Sequence, residues 1–236
     1  MMADPACLSI PAPAKINLYL HLTGKRSDGY HLLDSLIAFA GIHDRVLVAP
    51  ADGLNLTIEG PFGDDLKGTQ TDNLVLKAAR RLADSAGTEA GADIRLDKRL
   101  PVASGIGGGS ADAAAALTGL SELWGVVGGG GGGGGPGLEK LALDLGADVP
   151  VFVRGRNAWA EGVGERLQAV ELPPLWFLVV DPGVSVSTAR IFGDGELTRH
   201  TPAITLPASL GAATFEAFLK EGHNDCEAVA RRLFPA

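Results

Sequence analysis

The chain has 236 residues, 46% hydrophobic and 20% charged, enough for one large packed domain or two modest ones, so disordered, collagenous and disulfide-scaffold classes are excluded. A net charge of -8 argues against a protein that wraps nucleic acid or coats an anionic membrane, and leaves a small-molecule ligand as the default. The two cysteines, Cys7 and Cys226, and the five histidines have no metal-site spacing, and the apolar stretch Leu175 to Val180 is far short of the ~20 residues that span a bilayer. With no secretory or transit signal in Met1 to Ser9, the compartment reads as reduced and cytoplasmic.

In chain order, Lys15 to Leu22 alternates as a half-buried strand, with Ile16, Leu18, Leu20 and Leu22 on one face and Lys15, Asn17, Tyr19 and His21 on the other. An Asp-Gly turn follows at 28 and 29, leading to Tyr30 and His31. Arg45 to Val48 and Leu54 to Ile58 read as further strands. Asp72 opens a helix through Leu74, Leu76, Ala78, Ala79 and Leu82, and Ala92 to Leu96 is another short strand. The first half therefore mixes strands with helices. Later, a helix from Leu138 to Leu145 ends at Gly146, and Asp148 stands before Pro150 and the apolar run Val151 to Val153.

Between these lies the most informative segment, PVASGIGGGSADAAAAL at 101 to 117, a glycine-rich loop running into an alanine-rich helix that continues through Leu120, Leu123 and Trp124. Glycines 105, 107, 108 and 109 allow close backbone approach, and Ser110 is placed to cap the helix whose positive dipole end faces the same spot. That combination suits phosphates. No Gly-Lys-Ser/Thr tripeptide occurs, which excludes a Walker loop, and no strand and acidic residue follow at the Rossmann spacing, which leaves dinucleotide binding as a weak second reading.

Four stretches carry a family resemblance: PAPAKINL at 11 to 18, RSDGYH at 26 to 31, the loop at 101 to 111, and LGADVP at 145 to 150. In order and spacing they resemble the GHMP kinase superfamily, and within it the branch that phosphorylates a cytidylated sugar alcohol of the non-mevalonate isoprenoid pathway. The resemblance implies an α+β, two-domain architecture: a ribosomal protein S5 domain 2-like nucleotide domain over 1–160 and an incomplete second α+β domain over 161–236. It implies ATP as phosphoryl donor, with magnesium carried mainly by the phosphates. By resemblance, Asp148 is the general base and Lys15 its catalytic partner, keeping that carboxylate ionised and polarising the acceptor hydroxyl. Asn17 holds the acceptor; His31 bonds the cytosine edge; Tyr30 and Phe192 stack on the base, with Thr188 as a nearby polar contact. Around the nucleotide it places Asn73, Lys98, Pro101, Val102, Ala103, Ser104, Gly105, Ile106, Gly107, Gly108, Gly109, Ser110 and Ala111.

Residue by residue, blander readings stand beside these: Lys98 as a surface lysine, Asp148 as a turn cap, Phe192 as core. Another GHMP kinase, of homoserine or mevalonate type, is the second enzyme reading, although its substrate carries no base for Tyr30 and His31. A truncated, inactive nucleotide-binding module is the third. Two departures from the family pattern bear on activity. The run Gly128 to Gly135 is too entropic for an ordered element and reads as a surface loop. Relatives also continue for several tens of residues past the stretch matching Asn224 to Glu227, through a second glycine motif, so low or absent activity is expected of the 236-residue chain.

Overall fold

The computed structural model describes residues 7–68, 72–126, 136–197, 200–207 and 211–235, so the run Gly128 to Gly135 lies outside the described residues. The chain forms two compact units, each drawn from three stretches: Met1–Ala14, Gly41–Val102 and Gly107–Gly155 in the first, and Lys15–Ala40, Ala103–Ile106 and Arg156–Ala236 in the second. Two long strands, β1 (Leu8–Lys25) and β2 (His31–Ala51), run through both.

In the first unit, the end of β2 pairs antiparallel with β4 (Gly91–Asp97), from Arg45 opposite Asp97 to Ala51 opposite Gly91. On the far side of β4 lies β3 (Leu54–Glu59), parallel to it. The helices are α1 (Leu74–Ala86), α2 (Gly108–Leu123), α3 (Pro136–Leu145) and the short α4 (Val149–Arg154). The strands predicted at 45–48, 54–58 and 92–96 and the helices after Asp72, Gly109 and Leu138 are all present. The α1 cap is Asn73, one residue after the predicted opening: its side chain accepts the Val75 amide at 2.9 Å, and Gly87 closes the helix in the left-handed region at φ 61°.

The alanine run makes α2 apolar on nearly every side, the pattern of a helix buried all round. Ala111 and Ala113 to Leu117 are indeed buried, between α1, α4 and the sheet. Small side chains are what allow that approach: a Cβ on Gly119 would come within 2.9 Å of Ile10 Cγ1 and 3.2 Å of Val48 Cγ2.

In the second unit, the start of β2 pairs antiparallel with β5 (Ala158–Gly162), Leu33 opposite Gly162 and Ile37 opposite Ala158, and β5 pairs antiparallel with β6 (Arg166–Ala169). Residues 171–187 are without regular structure, and Trp176 is 99% and Leu178 92% exposed. Then come α5 (Thr188–Phe192), α6 (Ala212–Glu221) and α7 (Glu227–Leu233). One core gathers Leu22, Ile191, Leu197, Cys226 and Val229; another gathers Tyr19, Leu36, Phe215 and Phe218. Both cysteines are free thiols.

The alternation of β1 is as predicted, but burial falls on both faces: Lys15, Tyr19 and His21 of the mixed face are buried, as is Leu22 of the apolar face, whereas Asn17, Ile16, Leu18 and Leu20 are only partly so. Polar ends of the mixed face meet partners. The Tyr19 hydroxyl donates to Asp34 at 3.0 Å, and His21 Nδ1 lies 3.0 Å from the Pro202 carbonyl. A buried polar group that is hydrogen-bonded loses its penalty and keeps the gain of its apolar body.

Candidate active site

In the first unit the site begins at the N-terminus of α2. Gly107 is its cap residue, at φ 75° and ψ 18°, a left-handed conformation that glycine adopts without strain, and it brings no side-chain capping bond. The predicted Ser110 cap is therefore corrected: Gly108 and Gly109 are already helical, which makes Ser110 the third helical residue. The consequence favours an anion site, because first-turn amides have no intrahelical acceptor.

Lys98, at the end of β4, is no surface lysine. It is 2% exposed, and its ammonium donates to Asp44 Oδ2 at 2.5 Å and to Asp112 Oδ2 at 2.8 Å. The other Asp44 oxygen accepts the Arg99 and Leu100 amides at 2.5 and 2.7 Å. Burial pushes the Asp112 carboxyl up to about 7, with the Asp44 charge adding to the rise and the Lys98 ammonium opposing it. The two carboxylates hold Lys98 in its charged form against the burial that opposes it. Asn73 spends its side-chain oxygen on the α1 cap. Asp148 stands at the N-cap position of α4 and makes no side-chain capping bond to that helix. Its side chain is half-buried.

In the second unit, the short stretch Ala103–Ile106 is anchored at both ends: Val186 N donates to the Ala103 carbonyl at 2.7 Å, and Lys15 N to the Ile106 carbonyl at 2.9 Å. Ala103 has φ 55°, the one positive φ of a non-glycine among the described residues, a strain of roughly 1 kcal/mol of the kind that collects at functional sites. Gly105 follows at φ 78°. Lys15 is buried rather than a solvated edge residue. Asn17 Nδ2 donates to Ser35 Oγ at 2.7 Å, which in turn donates to the Tyr19 carbonyl at 2.6 Å.

Past the Asp28-Gly29 turn, Tyr30 is 61% exposed while His31 is buried, its Nε2 3.4 Å from the Leu197 carbonyl. Burial lowers the His31 pKa, Lys25 and His200 add to the lowering, and the Leu197 bond opposes it, so the ring is neutral near pH 7. The ring beside Phe192 is that of His31, at 5.8 Å between centroids. Phe192, only partly buried, also packs against the core of Leu22 and Ile191. Thr188 is the exposed first residue of α5, capped by Ser187.

The family profile described as GHMP kinases N terminal domain matches residues 73–156, which takes in α1, β4, α2, α3 and α4. The 4-diphosphocytidyl-2-C-methyl-D-erythritol kinase of Alcanivorax borkumensis is 51% identical over 228 residues, covering 97% of this chain and 73% of the relative. That of Chromohalobacter salexigens is 47% identical over 230 residues, with the same coverages of 97% and 73%. A solved 4-(cytidine 5'-diphospho)-2C-methyl-D-erythritol kinase superposes with a TM-score of 0.70 at 37% identity, over 97% of this chain and 79% of that one.

The chain belongs to the 4-diphosphocytidyl-2-C-methyl-D-erythritol kinase family.

Membership in this kinase family confirms the resemblance, the α+β fold with its GHMP nucleotide domain, and the class of small-molecule kinase with ATP as donor. The chain spans 73% of these curated family members' length. Among the described residues no helix is long and apolar enough to cross a membrane. Motif reading of the kinase family missed Asp44 and Asp112, which surround Lys98. Asp112 did carry a signal: it is an ionisable residue inside a run of alanines, where a buried carboxylate needs a partner. Asp44 carried none.

Proposed function

We propose that the chain catalyses ATP-dependent phosphorylation of the 2-hydroxyl of 4-diphosphocytidyl-2-C-methyl-D-erythritol in the cytoplasm. Family membership over 97% of the chain carries the reading, and the uncapped N-terminus of α2 supports it as a phosphate cradle. In this reading the stretch 1–160 carries the nucleotide site and 161–236 supplies further substrate contacts. The backbone of Pro101 to Ala111 wraps the phosphates, with Asn73 and Lys98 beside them.

Transfer needs an acceptor oxygen stripped of its proton and held in line with the γ-phosphorus. Asp148 takes the hydroxyl proton, the oxygen bonds the γ-phosphorus, and the bond to the β–γ bridging oxygen breaks to release ADP. The Lys15 ammonium stabilises the negative charge that develops on the acceptor oxygen. Asn17 orients the acceptor; His31, neutral and donating through Nε2 to Leu197, offers Nδ1 to the cytosine amino group. Tyr30 and Phe192 supply aromatic surface to the base, and Thr188 a polar contact. A magnesium ion carried mainly by the phosphates would neutralise part of their charge.

The test is transfer of labelled γ-phosphate to the cytidylated substrate, beside homoserine and mevalonate as competitors. Turnover on either competitor and none on the cytidylated alcohol would overturn the substrate assignment.

A further inference from the structure

We infer that Lys98 is a positioning residue, a strut held between Asp44 and Asp112 that sets the first turn of α2, and that it acts on the nucleotide only through that turn. The inference deepens the phosphate-site reading above and rests on it.

An ammonium has three donors, and here one goes to each carboxylate inside the protein. Reaching an outside phosphate would break ion pairs that are almost fully buried, and separating such a pair costs more than a new contact returns. The strut touches the loop directly. A Cβ built on Gly108, the first residue of α2, would lie 3.0 Å from Lys98 Nζ and 3.7 Å from Asp44 Oδ2. Asp44 ties the other end, since its second oxygen holds the Arg99 and Leu100 amides and so fixes the chain as it leaves β4.

Asp112 lies one helical turn beyond Gly108. Its Oδ1 is buried and has no hydrogen-bond partner, so its bond to Lys98 is what fixes this carboxylate. A buried carboxylate with one idle oxygen is a cost that packing alone does not offset. As an anchor for the ammonium it has a task. With Asp44 and Asp112 both set against one ammonium, the cluster has no net positive charge with which to attract a phosphate through its field. Geometry is what it can contribute.

The decisive pair is Asp112→Leu and Asp112→Asn, titrated with MgADP by calorimetry. Neither side chain can ionise, but only asparagine keeps an acceptor for Lys98. A positioning role predicts about tenfold weaker MgADP binding for leucine, the worth of one hydrogen bond to a charged group, and asparagine within about twofold of the parent. In turnover the loss falls on KM for ATP, leaving KM for the acceptor unchanged. Equal affinities for the two variants, in either direction, would mean that only charge matters and would overturn the strut. Should the leucine variant fail to melt cooperatively, Gly108→Ala carries the test. It adds a methyl against Nζ at a helical position that alanine favours, so binding should weaken about threefold without loss of fold. An unchanged Kd there overturns the inference equally. A parent chain that fails to bind MgADP at all would instead overturn the phosphate-site reading itself.

Discussion

Asp34 offers a test of how the second unit is held together. Its carboxylate is buried and receives three donors from distant parts of the chain: the Tyr19 hydroxyl at 3.0 Å, the Ile204 amide at 2.6 Å, and the Trp159 indole N–H. Asp34→Ala orphans all three. Tyr19 is fully buried, so its hydroxyl loses a partner that water cannot replace, at about 1–3 kcal/mol. The Trp159 and Ile204 donors are only partly buried and can turn to water, at about 0.5–1.5 kcal/mol each. The total is about 4 kcal/mol, or a fall in melting temperature of roughly 10 °C for a chain of this size. Urea unfolding followed by tryptophan fluorescence measures it. A double-mutant cycle with Tyr19→Phe adds a second reading: the hydroxyl should be worth about 1–2 kcal/mol in the parent and become a cost of about 1–3 kcal/mol once Asp34 is gone, so that Tyr19→Phe stabilises the Asp34→Ala variant. A variant within about 1 kcal/mol of the parent, at unchanged denaturant slope, would refute the reasoning.

Asp148→Asn should lower phosphoryl transfer by roughly 10² to 10⁴ while leaving MgADP affinity close to that of the parent, because the base serves the acceptor and not the phosphates; retained turnover would remove Asp148 from its role. His31→Ala and Tyr30→Ala should raise KM for the cytidylated acceptor about tenfold or more with KM for ATP unchanged, and parent-like acceptor binding in both would end the cytosine assignment. Asp112 ionises at about 7 in the folded chain against an ordinary 3.8, so its contribution is whole below pH 4 and is lost as pH rises through 7. Chemical unfolding from pH 5 to 8 should show the parent losing stability that Asp112→Asn, with no proton to release, retains; parallel curves for the two would contradict this.

What could be read beforehand follows the range of the forces involved. The phosphate loop was legible because its signal is local: glycines at 105, 107 and 108 permit their own backbone turn, and the alanines of α2 announce a helix packed on all sides. The cap was misread for an equally local reason, since serine is the better cap but glycine had already begun the helix. The burial of the mixed face of β1 was not legible. Tyr19 could turn inward only because Asp34 waits 15 residues away, and His21 only because the Pro202 carbonyl lies 181 residues on. Likewise Lys98 reads as solvated until Asp44, 54 residues earlier, closes over it. Alternation reveals that a strand has two faces; partners decide how much of each is core.

The interleaving of the two compact units fixes what can be cut. Each is assembled from three separated stretches, with changes of allegiance after Ala14, Ala40, Val102, Ile106 and Gly155. No single cleavage therefore releases either one whole. A fragment ending at Gly155 would carry Lys15 to Ala40 without the β5 strand that Leu33 to Ile37 pair with, and one beginning at Arg156 would hold β5 and β6 without β2. Neither piece inherits a complete sheet, so exchange between relatives at one junction would mix the interior of a unit rather than trade one unit for another. Limited proteolysis near Gly155 should accordingly yield fragments that remain associated or are degraded together, not a resistant half.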